Sequence, residues 1–438
     1  MISLTSCLNK ILCILTCCLT LGVGVAEAGA DAGGGTGSGP LIAVFPIENL
    51  SGTPAPLKEL AAELAVALKG AGVRIVDPAT VDSFNERHWV RYLGGIDEKT
   101  AAALREETGA DQVLISNLEL YSEVFPPKFS LVSRLVNLKG TPEISWMDSV
   151  GIAGDDSPGI LGLGLVSDMK VLSARGLKTI VASIKDYIAN PPVRKKRVSA
   201  KAKREQQTFT LADLIKGIQS EKRLLTDPSY SRVKPWYLKN PPDKPYSVED
   251  MIAETKANGG MFLSRYNPLL WYSSQDVLVD QERTIAIIPF FDRSTRKHAA
   301  ELQVLHLAKQ LVKDGSFRVL ELGVIRDKML NMHVVMNDGI SLPSVDLITI
   351  SLGVDLLLNG VVFDYLDTVG YGSAPKIDFS MQMFDRGNKK ILWSSHSHNK
   401  GDDGVYFFEY GRLATASALA DRMCRALVLK IVDSTKEE

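Results

Sequence analysis

Apolar residues recur along this chain in two nearly superimposable patterns. Residues 41–47 and 284–291 are short apolar runs rich in β-branched side chains, which predict buried strands. After the first run, Leu57, Leu60, Ala61, Leu64 and Leu68 lie at helical spacing, and Gly70 and Gly72 end the helix. After the second, Leu302, Leu305, Ala308, Leu311 and Val312 take that part before Gly315. A second short strand follows in each, Val73 to Val76 and Phe317 to Leu320. One or two short helices then lead to Gly109 and Gly353, read as helix-ending glycines, and Asp111 and Asp355 open a long apolar strand. Two more strands, at about 128–138 and 143–152, then 376–384 and 389–396, alternate apolar with polar residues, which predicts a sheet with one wet face. An amphipathic helix closes each pattern, at about 166–188 and 412–432. The order βαβααβββα predicts an α/β fold in which a mixed sheet packs against helices.

The residues themselves repeat as well as the pattern. Ile42-Ala43-Val44-Phe45-Pro46 returns as Ile285-Ala286-Ile287-Ile288-Pro289, 243 positions later. Gly109-Ala110-Asp111 returns as Gly353-Val354-Asp355, 244 positions later. From Gly140 and Gly387 onward the offset is 247, through Ile144/Ile391, Trp146/Trp393, Gly154-Asp155-Asp156/Gly401-Asp402-Asp403 and Leu172/Leu419. Order, spacing and residue type held together over this length predict two similar α/β domains, 41–188 and 283–433. A tail, 434–438, follows the second.

The first strand, ending in Phe45-Pro46-Ile47 before Asn49-Leu50-Ser51-Gly52, resembles the start of the CsgG-like superfamily. That grouping also holds the TolB N-terminal domain and the penicillin-binding-protein activator lipoprotein B. Leu352-Gly353-Val354-Asp355 running into Leu356-Leu357-Leu358-Asn359-Gly360-Val361 is similar to the family's Gly-Ala-Asp strand. The segment Gly109-Ala110-Asp111-Gln112-Val113-Leu114-Ile115 fits it more loosely. The resemblance implies a role in envelope assembly, secretion or activation of cell-wall enzymes through contact with other proteins, and implies no reaction.

The N-terminus reads as an address. Residues 11–25 are almost wholly apolar, too few for a membrane span, and Ala26-Glu27-Ala28 forms a small-x-small cleavage site. Residues 1–28 are therefore expected to be a signal peptide directing the chain to the periplasm, with 29–40 as a flexible lead. Lipidation at Cys17 or Cys18, which would make an outer-membrane lipoprotein, is the alternative. Four of the five cysteines lie in this segment, so Cys424 would be the only thiol left and is expected to be a buried small hydrophobe.

Residues 189–282 match neither repeat. Between 194 and 204 stand Arg194, Lys195, Lys196, Arg197, Lys201, Lys203 and Arg204, a solvated linker or a contact for an anionic envelope polymer or lipid headgroups. Trp236, Tyr237, Trp271 and Tyr272 are expected to pack across the domains or to form a partner-binding surface. The net charge of -1 provides no general attraction to nucleic acid, and none is expected as partner.

No nucleophile elbow, Walker loop, Cys-x-x-Cys or His-Glu-x-x-His motif is present. His396 and His398 at i, i+2 point to one side of a strand, and Asp402 and Asp403 follow, so these four are the candidate metal ligands. The repeated Gly-Asp-Asp is otherwise a turn plus a helix cap. The leading expectation is a non-catalytic periplasmic adaptor or assembly factor in envelope biogenesis or secretion, with envelope proteins as partners and no cofactor. A metal-dependent hydrolase or ligand sensor using His396, His398, Asp402 and Asp403 is the alternative.

Overall fold

The structure, a computed structural model, describes residues 39–156, 164–192, 264–274, 283–334, 342–368, 374–387, 389–403 and 411–433. In the first half, β1 (Ile42–Val44) runs parallel to β3 (Gln112–Ser122), with Ile42 opposite Gln112. Strands β4 (Lys128–Asn137) and β5 (Glu143–Ala153) continue antiparallel, and the short β2 (Glu48–Asn49) lies beside β3. In the second half, β7 (Arg283–Ile287) and β8 (Phe291–Asp292) run parallel to β10 (Leu356–Leu366). Strands β11 (Lys376–Asp385) and β12 (Lys390–Lys400) follow antiparallel. The second sheet gains one strand at each edge, β9 (Phe317–Val319) and β6 (Leu270–Ser273). The first-half strand expected at Val73 to Val76 is reduced to one bridge, Ile42 to Ile75.

Local hydrogen bonds explain why the same residues recur in both halves. Gly109 and Gly353 take φ of 68° and 65°, the left-handed conformation that stops a helix and that glycine adopts without a Cβ clash. The aspartate two residues on then ties down the first strand. Asp111 N–H donates to Leu41 O and Asp111 Oδ2 accepts from Leu41 N–H; Asp355 does the same with Thr284. Asn49 Oδ1 accepts from Ser51 N–H and Oγ–H, as Asp292 Oδ1 does from Ser294. A bulge interrupts β3 between Leu118 and Leu120 and β10 between Val362 and Asp364.

The Gly-Asp-Asp pair closes a turn and caps no described helix. Asp156 Oδ2 accepts from Ala153 N–H, and Asp403 Oδ2 from Lys400 N–H. The helices that follow are capped otherwise, by Asp168 in the first half and by Thr415 and Asp367 in the second. The cap expected at these aspartates is thus corrected: their carboxylates are used within the turn before the helix begins.

Helices α1 (Leu57–Gly70) and α4 (Met169–Ala189) cover one face of the first sheet, where Leu60, Leu64, Leu172 and Ile180 meet Leu114, Leu131 and Leu135. Helices α2 (Pro78–Arg87) and α3 (Glu98–Thr108) cover part of the other, through Phe84 and Leu104 against Val113 and Val136. In the second half, α5 (Ala299–Asp314) and α8 (Ala416–Asp433) lie on one face, and α6 (Leu322–Asn331) and α7 (Leu342–Leu352) on the other. The chain is an α/β protein with two sheet-bearing domains, and both sheets belong to one compact unit that begins at Gly39.

Alternation in the sequence predicts a wet face for β4, and this is corrected: Lys128 to Val136 are all buried. Helix α5 of the second half lies across the polar side of the first sheet, so Val132, Ile144 and Met147 share a core with Leu302, Leu305 and Ala308. Buried from both sides, α5 keeps Gln303, His306, Lys309 and Gln310 out of water as well as its leucines. Cys424 packs in the same core; burial pushes its thiol far above the usual range, so it stays protonated.

Candidate functional site

Polar residues on the covered face of the first sheet take partners from both halves. Arg134 and Glu321 are both fully buried, and their forks meet at 3.0 Å (Nε to Oε2) and 2.8 Å (Nη2 to Oε1). Arg134 also donates to Asn117 Oδ1 at 3.0 Å and to the Gly94 carbonyl. Asn117 Nδ2 in turn donates to Glu48 Oε2 at 2.6 Å. Burial, helped by the nearby charge of Glu301, pushes the Glu48 carboxyl up to about 6. Tyr92 completes the cluster, donating to Glu301 at 3.3 Å and lying 4.3 Å from the Arg326 guanidinium. Backbones meet here without side chains between them: a Cβ on Gly95 would stand 2.9 Å from the Gly323 backbone.

Two further clusters line the same junction. His306 Nε2 stands 3.0 Å from Glu119 Oε1, close but not aligned as a hydrogen bond, while Ser130 donates to Glu119 Oε2 at 2.6 Å. Burial alone would raise Glu119, but the His306 charge and the hydroxyls of Ser130 and Ser417 outweigh it, and the carboxyl falls to about 2. Arg296 donates to the Glu119 carbonyl and pairs with Asp367 at 2.9 Å. Beyond these, Lys309 donates to Ser149 Oγ at 2.7 Å and pairs with Asp421, and Lys313 pairs with Asp148 at 2.6 Å. A cleft of about 420 Å³ opens beside this last cluster, between Ser149, Gly151 and Asp156 on one side and Arg412, Thr415 and Arg422 on the other.

Among the described residues no helix lies across the matching face of the second sheet. Strand β11 alternates half-buried with buried residues over its first eight positions, where β4 is buried throughout. The strand registers set Asp378 opposite His398 as Ser130 is set opposite Gly151, and Ser380 opposite His396 as Val132 is opposite Ser149. Phe363, at the β10 bulge, takes the place of Glu119 in the β3 bulge. Phe363 is 38% exposed, and its ring lies 5.7 Å from that of His396. Leu270 and Tyr272 of β6 extend this face beside His396 and Ser394.

The four candidate metal ligands are not brought together. His396 Nε2 and His398 Nδ1 converge on Asp378, at 3.2 and 3.0 Å. Asp403 is turned to the Lys400 backbone and Asn399, and Asp402 is exposed on the same turn. Among the described residues no three His, Cys, Asp or Glu side chains are arranged to hold a metal ion. Sequence reasoning missed Asp378 because its cross-strand pairing with His398 is set by register, which local spacing does not encode.

Trp271 and Tyr272 lie on edge strand β6, both nearly half exposed. Trp271 stacks on Trp393 at 5.5 Å under Lys430, so its described packing is within the second half. Trp236, Tyr237, Arg194, Lys195, Lys196 and Arg197 lie outside the described residues, as do Cys17 and Cys18. No described helix is long and apolar enough to cross a membrane.

No protein-family model matches the chain. No curated protein matches it either. Among solved structures, it is similar to the PelC dodecamer from Paraburkholderia phytofirmans, at 14% identity over 36% of this chain and 96% of that one, with a TM-score of 0.25. It is also similar to lipoprotein GNA1162 from Neisseria meningitidis, at 15% identity over 34% of this chain and 99% of that one, TM-score 0.24. The LpoB C-terminal domain from Salmonella enterica aligns at 15% identity over 32% of this chain and 96% of that domain, TM-score 0.21. Scores this low carry no functional argument.

Proposed function

We propose that this chain is a non-catalytic adaptor or assembly factor of the bacterial cell envelope, built from two copies of one α/β unit and acting through protein–protein contact. The matching offsets and registers of β1, β3, β7 and β10 support the duplication. The CsgG-like resemblance and the N-terminal export address support the setting.

One observation carries the binding reading: the sheet face that α5 covers in the first half is crossed by no described helix in the second, is only half-buried, and bears Phe363, His396 and His398. An exposed aromatic among partly buried polar groups is the kind of surface a partner desolvates. The occupant differs from another copy of this chain's own helix pair. Gly151 lets α8 approach so closely that a Cβ there would stand 2.9 Å from Thr415 Oγ1, whereas the second sheet carries His398 at that position. Residues 194–204 would add a salt-sensitive contact with an anionic polymer or lipid headgroups.

A photocrosslinking residue at Phe363 tests this in envelope fractions, with one on the exposed face of α4 at Lys185 as control. A discrete adduct from Phe363 that the control lacks, and that Ser380→Trp abolishes, is expected. Equal labelling from both positions would overturn the reading. So would stoichiometric metal in the purified chain that is lost in His396→Ala/His398→Ala.

A further inference from the structure

Trp89 is the most exposed large apolar side chain among the described residues, at 76%. Its backbone is also unfavourable, with a φ of 51°. It follows the last turn of α2, where His88 N–H bonds to Phe84 O and Val90 N–H reaches back to Asn85 O. That is a left-handed helix cap, a position glycine or asparagine fills at little cost and a bulky side chain does not. At the corresponding cap of α6, with the same backbone bonds, the residue is the polar His333, with φ 52°. Tryptophan at position 89 thus worsens both the conformation and the solvation of the folded chain. The cap that carries it is firmly held: His88 stacks on Phe84 at 4.3 Å, and Glu107 binds both Arg87 and His88.

We propose that Trp89, with Arg91, is a lipid-docking tip that inserts into the headgroup layer of a membrane leaflet carrying anionic phospholipid. An indole with an apolar body and an N–H donor suits the water–lipid boundary. Arg91 is exposed two residues away and offers a guanidinium to the lipid phosphates, whereas that of Arg87 is held by Glu107. The shape favours a bilayer over a protein pocket. Trp89 projects from a loop with only half-buried Val90 and Leu93 near it in sequence, and a lone ring needs no complementary patch to enter a lipid interface. One such tip binds weakly and reversibly, so it acts alongside the other contacts of the chain. The inference goes beyond the protein-contact reading and does not rest on it.

The chain from residue 29 onward, freed of its apolar leader, is tested by co-sedimentation with vesicles of equal phosphatidylglycerol and phosphatidylcholine. About 0.15 M salt screens long-range attraction by other basic segments. Trp89→Gly is expected to lower the partition coefficient by about tenfold or more, the loss of one buried aromatic side chain. The same variant is expected to melt about 1–3 °C higher, because glycine relieves the left-handed strain. Arg91→Gln should weaken binding to these vesicles and change little on phosphatidylcholine alone. The proposal is overturned if Trp89→Gly binds the vesicles as the parent does, or if it melts lower, since Trp89 would then be packing within the chain. A parent that ignores vesicles while Trp89→Gly loses a crosslinked protein would overturn it in favour of a protein partner.

Discussion

Arg134 and Glu321 are far apart in sequence, and each is fully buried only because the other is there. Removing one leaves an uncompensated charge in the interior. Arg134→Ala and Glu321→Ala should each cost about 3–5 kcal/mol in denaturant unfolding. The double variant Arg134→Met/Glu321→Met should cost clearly less than the sum, because no stranded charge remains. Glu48 gives the opposite sign from a salt-bridged acid. Its carboxyl titrates near 6 in the folded chain and at the ordinary 4.5 unfolded, so the folded state holds the proton more tightly. No penalty exists below about pH 4.5; it grows as pH rises and is complete above about pH 6. Glu48→Gln should therefore raise the melting temperature at pH 8 and change it much less at pH 4.5, as thermal scans at the two pH values would show. Neither residue stood out in the sequence, where Arg134 reads as one polar position on a wet strand. Its partner belongs to the other half, and such partnerships leave no local trace.

Among the elements, α5 differs most from its sequence pattern. An amphipathic stripe predicts one buried face, but both faces are buried because two sheets compete for the same helix. Strand β5 and the start of α8 meet through Gly151, where a side chain has no room. Gly151→His, which imports the residue found at position 398, should destabilise the chain by about 1–3 kcal/mol through overpacking. The reciprocal His398→Gly should cost less, about 0.5–1 kcal/mol, the entropic cost of a glycine within a strand. Comparing the two midpoints in urea tests whether the closeness is confined to the covered sheet. The strands and helices themselves were legible with modest boundary shifts: α4 begins at Met169 where about 166 was expected, and α8 at Ala416 where about 412 was expected. The Gly-Asp-Asp turn was placed correctly, while its hydrogen-bond role was not. Whether an aspartate caps a helix or closes the turn before it depends on a few ångströms of chain path.

For the whole molecule, the shared helix layer makes the halves unequal. Separated as 29–190 and 264–438, the first half would expose Arg134 and Glu119 with the partners from the other half removed. The second would keep α5 and α8 on its own sheet. The first half alone should unfold at lower urea than the second, and mixing the two should restore a 1:1 complex on size-exclusion chromatography with a raised midpoint for the first half. Equal stability of the separate halves, with no association, would show that the buried junction contributes nothing.

Periodicity and repeated turn residues determined the strands, the helices, their order and the 243-to-247-residue offset, because each depends on hydrogen bonds and spacing within a few positions of the chain. Tertiary structure alone decided which sheet face a described helix covers and which stays half-buried, and so where Arg134 is buried and where Phe363 meets water. The physical reason is that a polar residue on a strand is compatible with solvent or with a buried partner of opposite charge, and the choice between them is made by a helix more than a hundred residues away.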